Sequence, residues 1–312
     1  MSETTRVEHG ITVAAPARAV YDLIADVTAW PEVFPPTVHV EREELSPSEE
    51  RIRIWATANG QAKTWTSRRT LDSDTLRVEF RQEVSQPPVA AMGGVWQIEP
   101  IDAANSRVRL LHDYRAVDDD PANLAWIDEA VDRNSGSELE ALRRKAESTA
   151  DGTGTLLTFE DTVHIGGSAE DVYDFVNEAQ LWSQRLPHVA TVRLEEETPG
   201  LQLLEMDTRT KDGSVHTTKS VRVAFPWHKI VYKQIKVPAL MTLHTGQWTF
   251  APDGDGVAAT SRHTVVINEA NIETVLGAGA DVAGAREYVR NALSTNSLAT
   301  LDHARRYAES RR

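Results

Sequence analysis

The chain begins with a short alternation of apolar and polar residues and then changes to helical spacing. Residues 7–13 alternate and predict a strand, while Val20, Leu23, Ile24 and Val27 recur at the spacing of a helix. Six more alternating stretches follow, separated by polar turns, and each predicts a strand: residues 38–45, 51–57, 63–71, 75–83, 91–100 and 107–117. Residues 123–147 then align apolar side chains on one stripe, which predicts a long closing helix.

The same pattern occurs twice along the chain. Trp30 and Trp182 are 152 positions apart, and so are Trp96 and Trp248. A period of this length corresponds to a whole domain, since solenoid repeats span only about 20 to 50 residues. We therefore predict an N-terminal domain over residues 1–150, a linker over residues 151–155 and a C-terminal domain over residues 156–312, closed by a helix near residues 285–306.

This order of elements predicts an α+β fold in tandem duplication. Each copy would be a curved antiparallel sheet of about seven strands wrapped around its long C-terminal helix. The short helices near the start of each copy would hold the sheet and the long helix apart. A cavity between sheet and helix is the expected consequence.

Composition excludes several classes of function. The chain has no cysteine, which excludes disulfides, thiolate zinc sites and cysteine nucleophiles and suits a reducing cytoplasm. Its formal charge of −14 repels phosphate backbones and anionic bilayers, so no nucleic-acid or membrane partner is expected. The polar N-terminus and the lack of a long apolar run predict a soluble, cytoplasmic protein. Without a P-loop or an HExxH motif, we expect neither a metal nor a cofactor.

Alternation along the predicted strands indicates which side chains face the cavity of the first domain. The inward face of residues 63–71 carries Trp65, Ser67 and Arg69. The following strands contribute one apolar and several polar or aromatic groups: Gln82, Met92, Trp96, His112 and Tyr114. The result is an apolar pocket with five polar groups, which are Ser67, Arg69, Gln82, His112 and Tyr114.

Arg69 is the most informative of these groups. No inward Asp or Glu stands out near it by alternation, and a guanidinium is costly to bury without a partner. We therefore expect Arg69 to meet a carbonyl or anionic ligand, the alternative being a structural ion pair. On the first interpretation, Arg69→Ala should abolish activity and change the melting temperature little.

The fixed spacing of 152 positions predicts that the two domains differ in chemistry. Val221 stands at the position of Arg69, Thr217 at that of Trp65 and Lys219 at that of Ser67. A second pocket is then predicted from Lys219, Tyr232, Gln234, His244 and His263. Without the arginine, this half is expected to stabilise the first or to help position substrate, although Lys219 could itself bind a carbonyl or carboxylate. Some residues have counterparts in both halves, and their alternative interpretation is structural. Trp30 and Trp96 would be packing anchors, and Gln82 and His112 would be inward polar groups with satisfied hydrogen bonds.

Several of these motifs carry a resemblance to a known family. The segment Trp30-Pro31-Glu32-Val33-Phe34, the segment Trp65-Thr66-Ser67-Arg68-Arg69 and Trp96 resemble the aromatase/cyclases of bacterial type II polyketide synthases. These are polyketide cyclases of the START/Bet v1-like helix-grip superfamily, and the tandem arrangement resembles their didomain members in particular. The resemblance implies that Arg69 is the central catalytic residue and that Trp65 lines the pocket.

The resemblance also implies a reaction. An enolate carbon of a poly-β-ketone would attack a ketone to close the first ring, and loss of water would make that ring aromatic. Arg69 would hold the oxygen that gains charge. Trp30, Phe34, Trp65, Gln82, Met92 and Trp96 would hold the chain folded. Single-domain relatives can carry a tyrosine where this chain has Pro35-Pro36-Thr37, so the proton donor stays open among His112, Tyr114, Ser67 and an ordered water.

The expected partner follows from the same resemblance. A poly-β-ketone substrate would arrive tethered to an acidic acyl carrier protein, which requires a local basic patch on this acidic chain. Arg143, Arg144 and Lys145 near the end of the first long helix are the candidates, against a simple solvated helix end. The alternative function is that of a non-catalytic binding or carrier protein for a hydrophobic polyketide or lipid-like ligand.

Overall fold

The computed structural model describes residues 4–148, 154–209, 213 and 215–311. The chain divides into two compact units, residues 1–151 and 152–312, which we call the N-terminal and C-terminal units. Of the predicted linker over residues 151–155, residues 151–153 lie outside the described part of the chain.

The N-terminal unit is one seven-stranded antiparallel sheet with three helices. The strands are β1 (Thr5–Val13), β2 (Thr37–Ser46), β3 (Glu49–Ala58), β4 (Gln61–Asp72), β5 (Arg77–Val84), β6 (Val89–Pro100) and β7 (Ser106–Ala116). The helices are α1 (Ala17–Ala25), α2 (Trp30–Val33) and α3 (Pro121–Glu147). The sheet order is β1-β7-β6-β5-β4-β3-β2, so every neighbouring pair after β1 is joined by a hairpin.

The C-terminal unit repeats this architecture with one additional short helix. Its strands are β8 (Leu156–Ile165), β9 (Val189–Thr198), β10 (Leu201–Arg209), β11 (Val215–Phe225), β12 (Lys229–Lys236), β13 (Met241–Asp253) and β14 (Gly256–Ile267), in the sheet order β8-β14-β13-β12-β11-β10-β9. Its helices are α4 (Ala169–Asn177), α5 (Trp182–Arg185), α6 (Ile272–Leu276) and α7 (Val282–Glu309). The predicted tandem α+β fold is therefore confirmed.

The closing helix α3 forms where the sequence predicts it. The Asp120 side chain caps its N-terminus by accepting hydrogen bonds from the backbone N–H groups of Ala122 and Asn123. Helix α3 packs against β1 and β7, and its stripe of buried residues includes Ile127, Val131, Leu139 and Leu142. Because the apolar stripe is the side that meets the sheet, any polar residue within it faces the interior.

One difference from the predicted strand bounds matters for the site. Strand β3 begins at Glu49, two residues earlier than alternation in the sequence indicates. On the inward face this adds Glu50 in front of Ile52 and Ile54, and Glu50 is buried. A carboxylate therefore lies inside the N-terminal unit.

The described residues show neither a membrane-spanning helix nor a metal-binding cluster. No helix in that part of the chain is long and apolar enough to cross a membrane. The same residues contain no group of three or more His, Cys, Asp or Glu side chains arranged to hold a metal ion.

Candidate functional site

Two adjoining cavities lie inside the N-terminal unit, between the sheet and helix α3. The larger has a volume of about 840 Å³, part of it open to solvent, and the smaller has a volume of about 610 Å³. Seven residues line both: Trp30, Ile54, Trp65, Gln82, Met92, His112 and Glu138. These shared residues mark the junction at which an extended ligand would pass from one cavity to the other.

Aromatic side chains form much of the smaller cavity. The Trp30 and Phe34 rings meet edge to face at 5.3 Å, and Phe34 stacks on Trp96 at 6.0 Å between ring centroids. Together with Trp65 and Met92 they line this cavity as the sequence predicts. The indole N–H of Trp30 donates to the Ile24 carbonyl, which fixes the ring against helix α1.

Arg69 also lines the smaller cavity, but it has a buried partner. Its Nη1 donates to Glu50 Oε1 at 2.8 Å, and its Nη2 donates to the Ile24 carbonyl at the end of helix α1 at 2.8 Å. The guanidinium lies over the Trp30 ring at 5.0 Å, and the residue is only 1% exposed. Burial lowers the pKa of Arg69 to about 10, with Glu50 opposing that shift, so the side chain stays charged at neutral pH.

The expectation that no inward carboxylate lies near Arg69 is therefore wrong. Glu50 and Arg69 are directly opposite each other in the β3–β4 register, which brings both side chains to the inner face. The sequence missed the pair because the predicted strand began at residue 51. Glu50 also forms an ion pair with Arg42, between its Oε2 and Arg42 Nε at 2.6 Å.

Three of the other predicted polar groups reach the cavities. Ser67 lines the smaller one, and Gln82 and His112 line both. Burial lowers the pKa of His112 to about 4, so its imidazole is neutral at pH 7, and its Nδ1 has no hydrogen-bond partner among the described residues. His112 thus presents a neutral polar edge to a ligand.

Tyr114 does not line either cavity, and its predicted place in the pocket is wrong. Its ring packs with Ile127 and Val131 of helix α3, and its hydroxyl donates to Asp128 Oδ1 at 2.6 Å. Alternation places Tyr114 on the inner face correctly, but helix α3 covers that end of the sheet directly. Burial raises the pKa of the Tyr114 hydroxyl, which does not suit it to proton transfer.

Glu138 is the cavity residue that sequence reasoning missed. It projects from helix α3 into the junction of the two cavities and has no ion-pair partner in the described part of the chain. Burial raises the pKa of its carboxyl group to about 8, so the neutral acid predominates at pH 7. The signal was available, since Glu138 lies seven residues after Val131 and directly before Leu139, beside the buried stripe of helix α3.

The C-terminal unit contains a third cavity, of about 860 Å³, part of it open to solvent. Tyr232, Gln234, His244 and His263 line it, as the sequence predicts. The cavity face of β11 is different from the predicted one, because it carries Thr218, Ser220 and Arg222. Lys219 alternates with these residues and faces the other side of the sheet, so its predicted place in the second pocket is wrong.

Arg222 is the counterpart of Arg69, and the prediction that the second half lacks this arginine is also wrong. Arg222 lies over the Trp182 ring at 5.3 Å and donates to the Val176 carbonyl at 2.7 Å, as Arg69 does with Trp30 and Ile24. The register explains the error. Gln202 pairs with Arg222 as Glu50 pairs with Arg69, but the paired residues are 20 positions apart in the C-terminal unit and 19 in the N-terminal unit.

The two units therefore share one architecture and one kind of interior. An antiparallel sheet with a long closing helix and a cavity between them define the helix-grip fold. In both units an arginine on the sheet also binds a carbonyl at the end of the first helix. The chain carries two such domains in tandem.

Comparison with known proteins identifies the family. Residues 13–131 and 157–309 each match a family described as "Polyketide cyclase / dehydrase and lipid transport". The chain is 56% identical over 298 residues to the granaticin polyketide synthase bifunctional cyclase/dehydratase of Streptomyces virginiae, covering 95% of this chain and 97% of the relative. It is 49% identical over 309 residues to the actinorhodin polyketide synthase bifunctional cyclase/dehydratase of Streptomyces coelicolor, covering 96% and 95%.

Solved structures agree with this assignment. The di-domain ARO/CYC BexL from the BE-7585A biosynthetic pathway is 60% identical, with a TM-score of 0.85 and coverage of 98% of this chain and 99% of that chain. The di-domain ARO/CYC StfQ from the steffimycin biosynthetic pathway is 36% identical, with a TM-score of 0.84 and the same coverage. The chain belongs to the bifunctional cyclase/dehydratase family of polyketide synthases, the didomain aromatase/cyclases.

Proposed function

We propose that the chain is a polyketide aromatase/cyclase that closes and dehydrates the first ring of a poly-β-ketone. The observation that carries this proposal is the pair of joined cavities in the N-terminal unit, which are lined by aromatic residues and meet at Glu138 and His112. A flexible polyketone must be folded before one of its carbons can reach the right carbonyl. Apolar walls that hold it in one shape would remove the conformational freedom that allows wrong ring closures.

Glu138 is the group we propose for proton transfer. A neutral carboxylic acid at the junction can protonate a ketone oxygen as the new carbon–carbon bond forms. The carboxylate that results can then remove the α proton and return it to the hydroxyl group, which leaves as water. The proton released to solvent when the attacking carbon became an enolate restores the neutral acid. A pKa raised to about 8 by burial suits both directions of transfer at neutral pH. This lyase-type dehydration would complete the aromatic ring.

Arg69 would assist without giving up a proton. With 1% of its surface exposed, it sits in the wall of the smaller cavity and holds Trp30 and the end of helix α1 in place. In the described part of the chain its Nε–H donates to no protein acceptor, which leaves that group for a carbonyl oxygen. Arg69 would therefore combine a structural ion pair with stabilisation of the oxygen that gains charge.

An acyl carrier protein is the proposed source of the substrate. Two basic sites could receive an acidic carrier. Lys63 lines the larger cavity and lies 5.5 Å from the Trp126 ring, whereas residues 143–145 occupy the last turn of helix α3. Trp126 also lines the larger cavity. Because an α-helix rises about 1.5 Å per residue, residues 143–145 lie about 26 Å along helix α3 from Trp126. Arg143 is already paired with Glu140 at 2.6 Å, which favours Lys63.

Reconstitution with a minimal polyketide synthase tests the proposed function. Addition of the protein should change the products from a mixture of ring patterns to one aromatised first ring. Glu138→Gln should lose dehydrated product while keeping the fold, and Tyr114→Phe is the matched control outside the cavities. If the protein binds the polyketone but leaves the product mixture unchanged, the alternative role of a binding or carrier protein for a hydrophobic ligand is correct.

A further inference from the structure

The two inward arginines differ in their counter-charge. Arg69 faces the carboxylate of Glu50 across the β3–β4 register, and the two side chains bond at 2.8 Å. Arg222 faces Gln202 across the β10–β11 register, so a neutral amide stands where the carboxylate stands in the other unit. Both arginines and both partners are buried. The first unit places a buried carboxylate opposite its buried arginine, and the second places a neutral amide there.

Within the described ranges, no other carboxylate forms an ion pair with Arg222 in the way that Glu50 does with Arg69. Among the described residues, Arg222 forms no ion pair, and its hydrogen bonds go to the backbone carbonyls of Val176 and Asn177. The charge of Glu196 favours the charged form of Arg222, but Glu196 is exposed, and it accepts a hydrogen bond from Gln202 Nε2 at 2.9 Å. Its charge is screened by solvent, whereas the charge of Arg222 is not.

Four histidines are among the described residues that line this cavity: His188, His216, His244 and His263. Among the described residues that line the third cavity, Arg222 is the only arginine, lysine or carboxylate. Burial lowers the pKa of His244 to about 3 and that of His263 to about 4, so these imidazoles are neutral at pH 7. The Tyr232 hydroxyl lies 2.9 Å from His263 Nδ1, and burial raises its pKa, so it is neutral as well.

Unused polar atoms accompany this cation. His244 Nδ1 and Gln234 Oε1 are buried and have no hydrogen-bond partner in the described part of the chain. Both residues line the cavity, together with the Trp182 and Trp248 rings. This site has apolar walls, buried polar atoms without hydrogen-bond partners and one arginine without a buried counter-charge. Such a site suits a ligand that carries a negatively charged oxygen.

We propose that the C-terminal cavity is a second binding site, selective for a flat apolar molecule that carries a delocalised oxyanion, either a carboxylate or an enolate. A positive charge in a low-dielectric wall attracts such an oxygen from several ångströms away, even where the guanidinium itself is largely covered. The preference should be weaker in the N-terminal cavities, because Glu50 offsets part of the charge of Arg69. The site goes beyond the proposed cyclisation and does not depend on it.

A charge swap tests the proposal without removing Arg222. In the double variant Q202E/E196Q, the carboxylate moves from the surface to the position opposite Arg222, and the hydrogen bond between positions 196 and 202 is kept with its direction reversed. The net charge of the chain is unchanged. The single variant E196Q is the control for the loss of the surface charge. The reciprocal variant Glu50→Gln gives the N-terminal unit the arrangement of the C-terminal one.

Calorimetric titration of the full chain with 2-naphthoate and its neutral analogue 2-naphthamide provides the measurement. The wild type and E196Q should prefer the anion, and the double variant should lose about 30-fold in naphthoate affinity while keeping its affinity for the amide. Glu50→Gln should add a second naphthoate site. Equal binding of both probes by the wild type, or an unchanged preference in a folded double variant, would overturn the proposal.

A second probe distinguishes the two kinds of oxyanion. The enolate of benzoylacetone absorbs at longer wavelength than the neutral form, so its apparent pKa when bound can be read directly. A lower apparent pKa on the wild type, lost in the double variant, identifies an enolate site. Naphthoate selectivity without that shift identifies a carboxylate site. An apparent pKa that stays unchanged, together with no naphthoate preference, contradicts both.

Discussion

The buried pair of Arg69 and Glu50 makes a prediction about stability that opposes the one drawn from the sequence alone. Arg69→Met removes the 2.8 Å bond to Glu50 and the 2.8 Å bond to the Ile24 carbonyl, and it leaves Glu50 buried. Loss of one partner of a buried ion pair costs about 3 to 5 kcal/mol. Glu50 keeps Arg42 at 2.6 Å, which points to the lower end, about 3 kcal/mol.

The melting temperature of the N-terminal unit should therefore fall by roughly 6 to 12 °C, since 1 kcal/mol corresponds to about 2 to 4 °C in a unit of this size. Glu50→Gln should cost less, about 1 to 2 kcal/mol, because the C-terminal unit already tolerates an arginine opposite a glutamine. The double variant Arg69→Met/Glu50→Gln should lose less stability than the sum of the two single changes, because both charges of the ion pair are then removed together.

Scanning calorimetry and urea unfolding of the full chain give these free energies, with Tyr21 and the other tyrosines and tryptophans unchanged as reporters. The comparison of the two single variants is decisive. If Arg69→Met leaves the melting temperature within about 2 °C of the wild type, or if Glu50→Gln costs more than Arg69→Met, the ion pair does not stabilise the fold as the structure indicates.

Three further predictions concern other parts of the N-terminal unit. Folding raises the pKa of Glu138 from its ordinary 4.5 to about 8, so the folded state holds this proton more tightly than the unfolded chain does. The contribution of Glu138 to the free energy of unfolding is therefore complete below pH 4.5 and is lost as the pH rises to 8. Urea unfolding should show the wild type losing stability relative to Glu138→Gln across that window, and a constant difference would mean that Glu138 titrates normally. Lys63→Glu should weaken binding of an acyl carrier protein at low salt more than charge reversal at residues 143–145 does; the opposite order in a binding titration would assign docking to the helix end. Tyr114→Phe should cost about 1 kcal/mol through loss of its bond to Asp128 and leave the ring pattern of the products unchanged, whereas an altered pattern would return Tyr114 to the chemistry.

The architecture followed from the sequence because its signals are local and repeated. In the N-terminal unit the seven strands and the long helix appear within a few residues of their predicted bounds, and the C-terminal unit repeats the predicted order of elements. Alternation and helical spacing are set by which face is buried. The aromatic lining at Trp65 and Trp96 was found for the same reason. Such patterns need no knowledge of how the strands pair.

The errors came from quantities that a single sequence does not fix. Glu50 was missed because a strand end moved by two residues, and the end of a strand depends on pairing with its neighbour. Arg222 was missed because the spacing between the copies changes locally by one residue, and a shift of one residue exchanges the two faces of a strand. Tyr114 was misplaced because alternation gives the face of the sheet but not whether helix α3 covers it.

The inward arginine of each unit donates a hydrogen bond to a backbone carbonyl oxygen. Arg69 binds the carbonyl of Ile24, and Arg222 binds the carbonyl of Val176, so neither contact depends on the side chain at the receiving position. A main-chain acceptor remains when its residue is exchanged. The end of the first helix can thus be held in register while the side chains around it change, which leaves each duplicated cavity free to diverge toward its own ligand without loss of the scaffold.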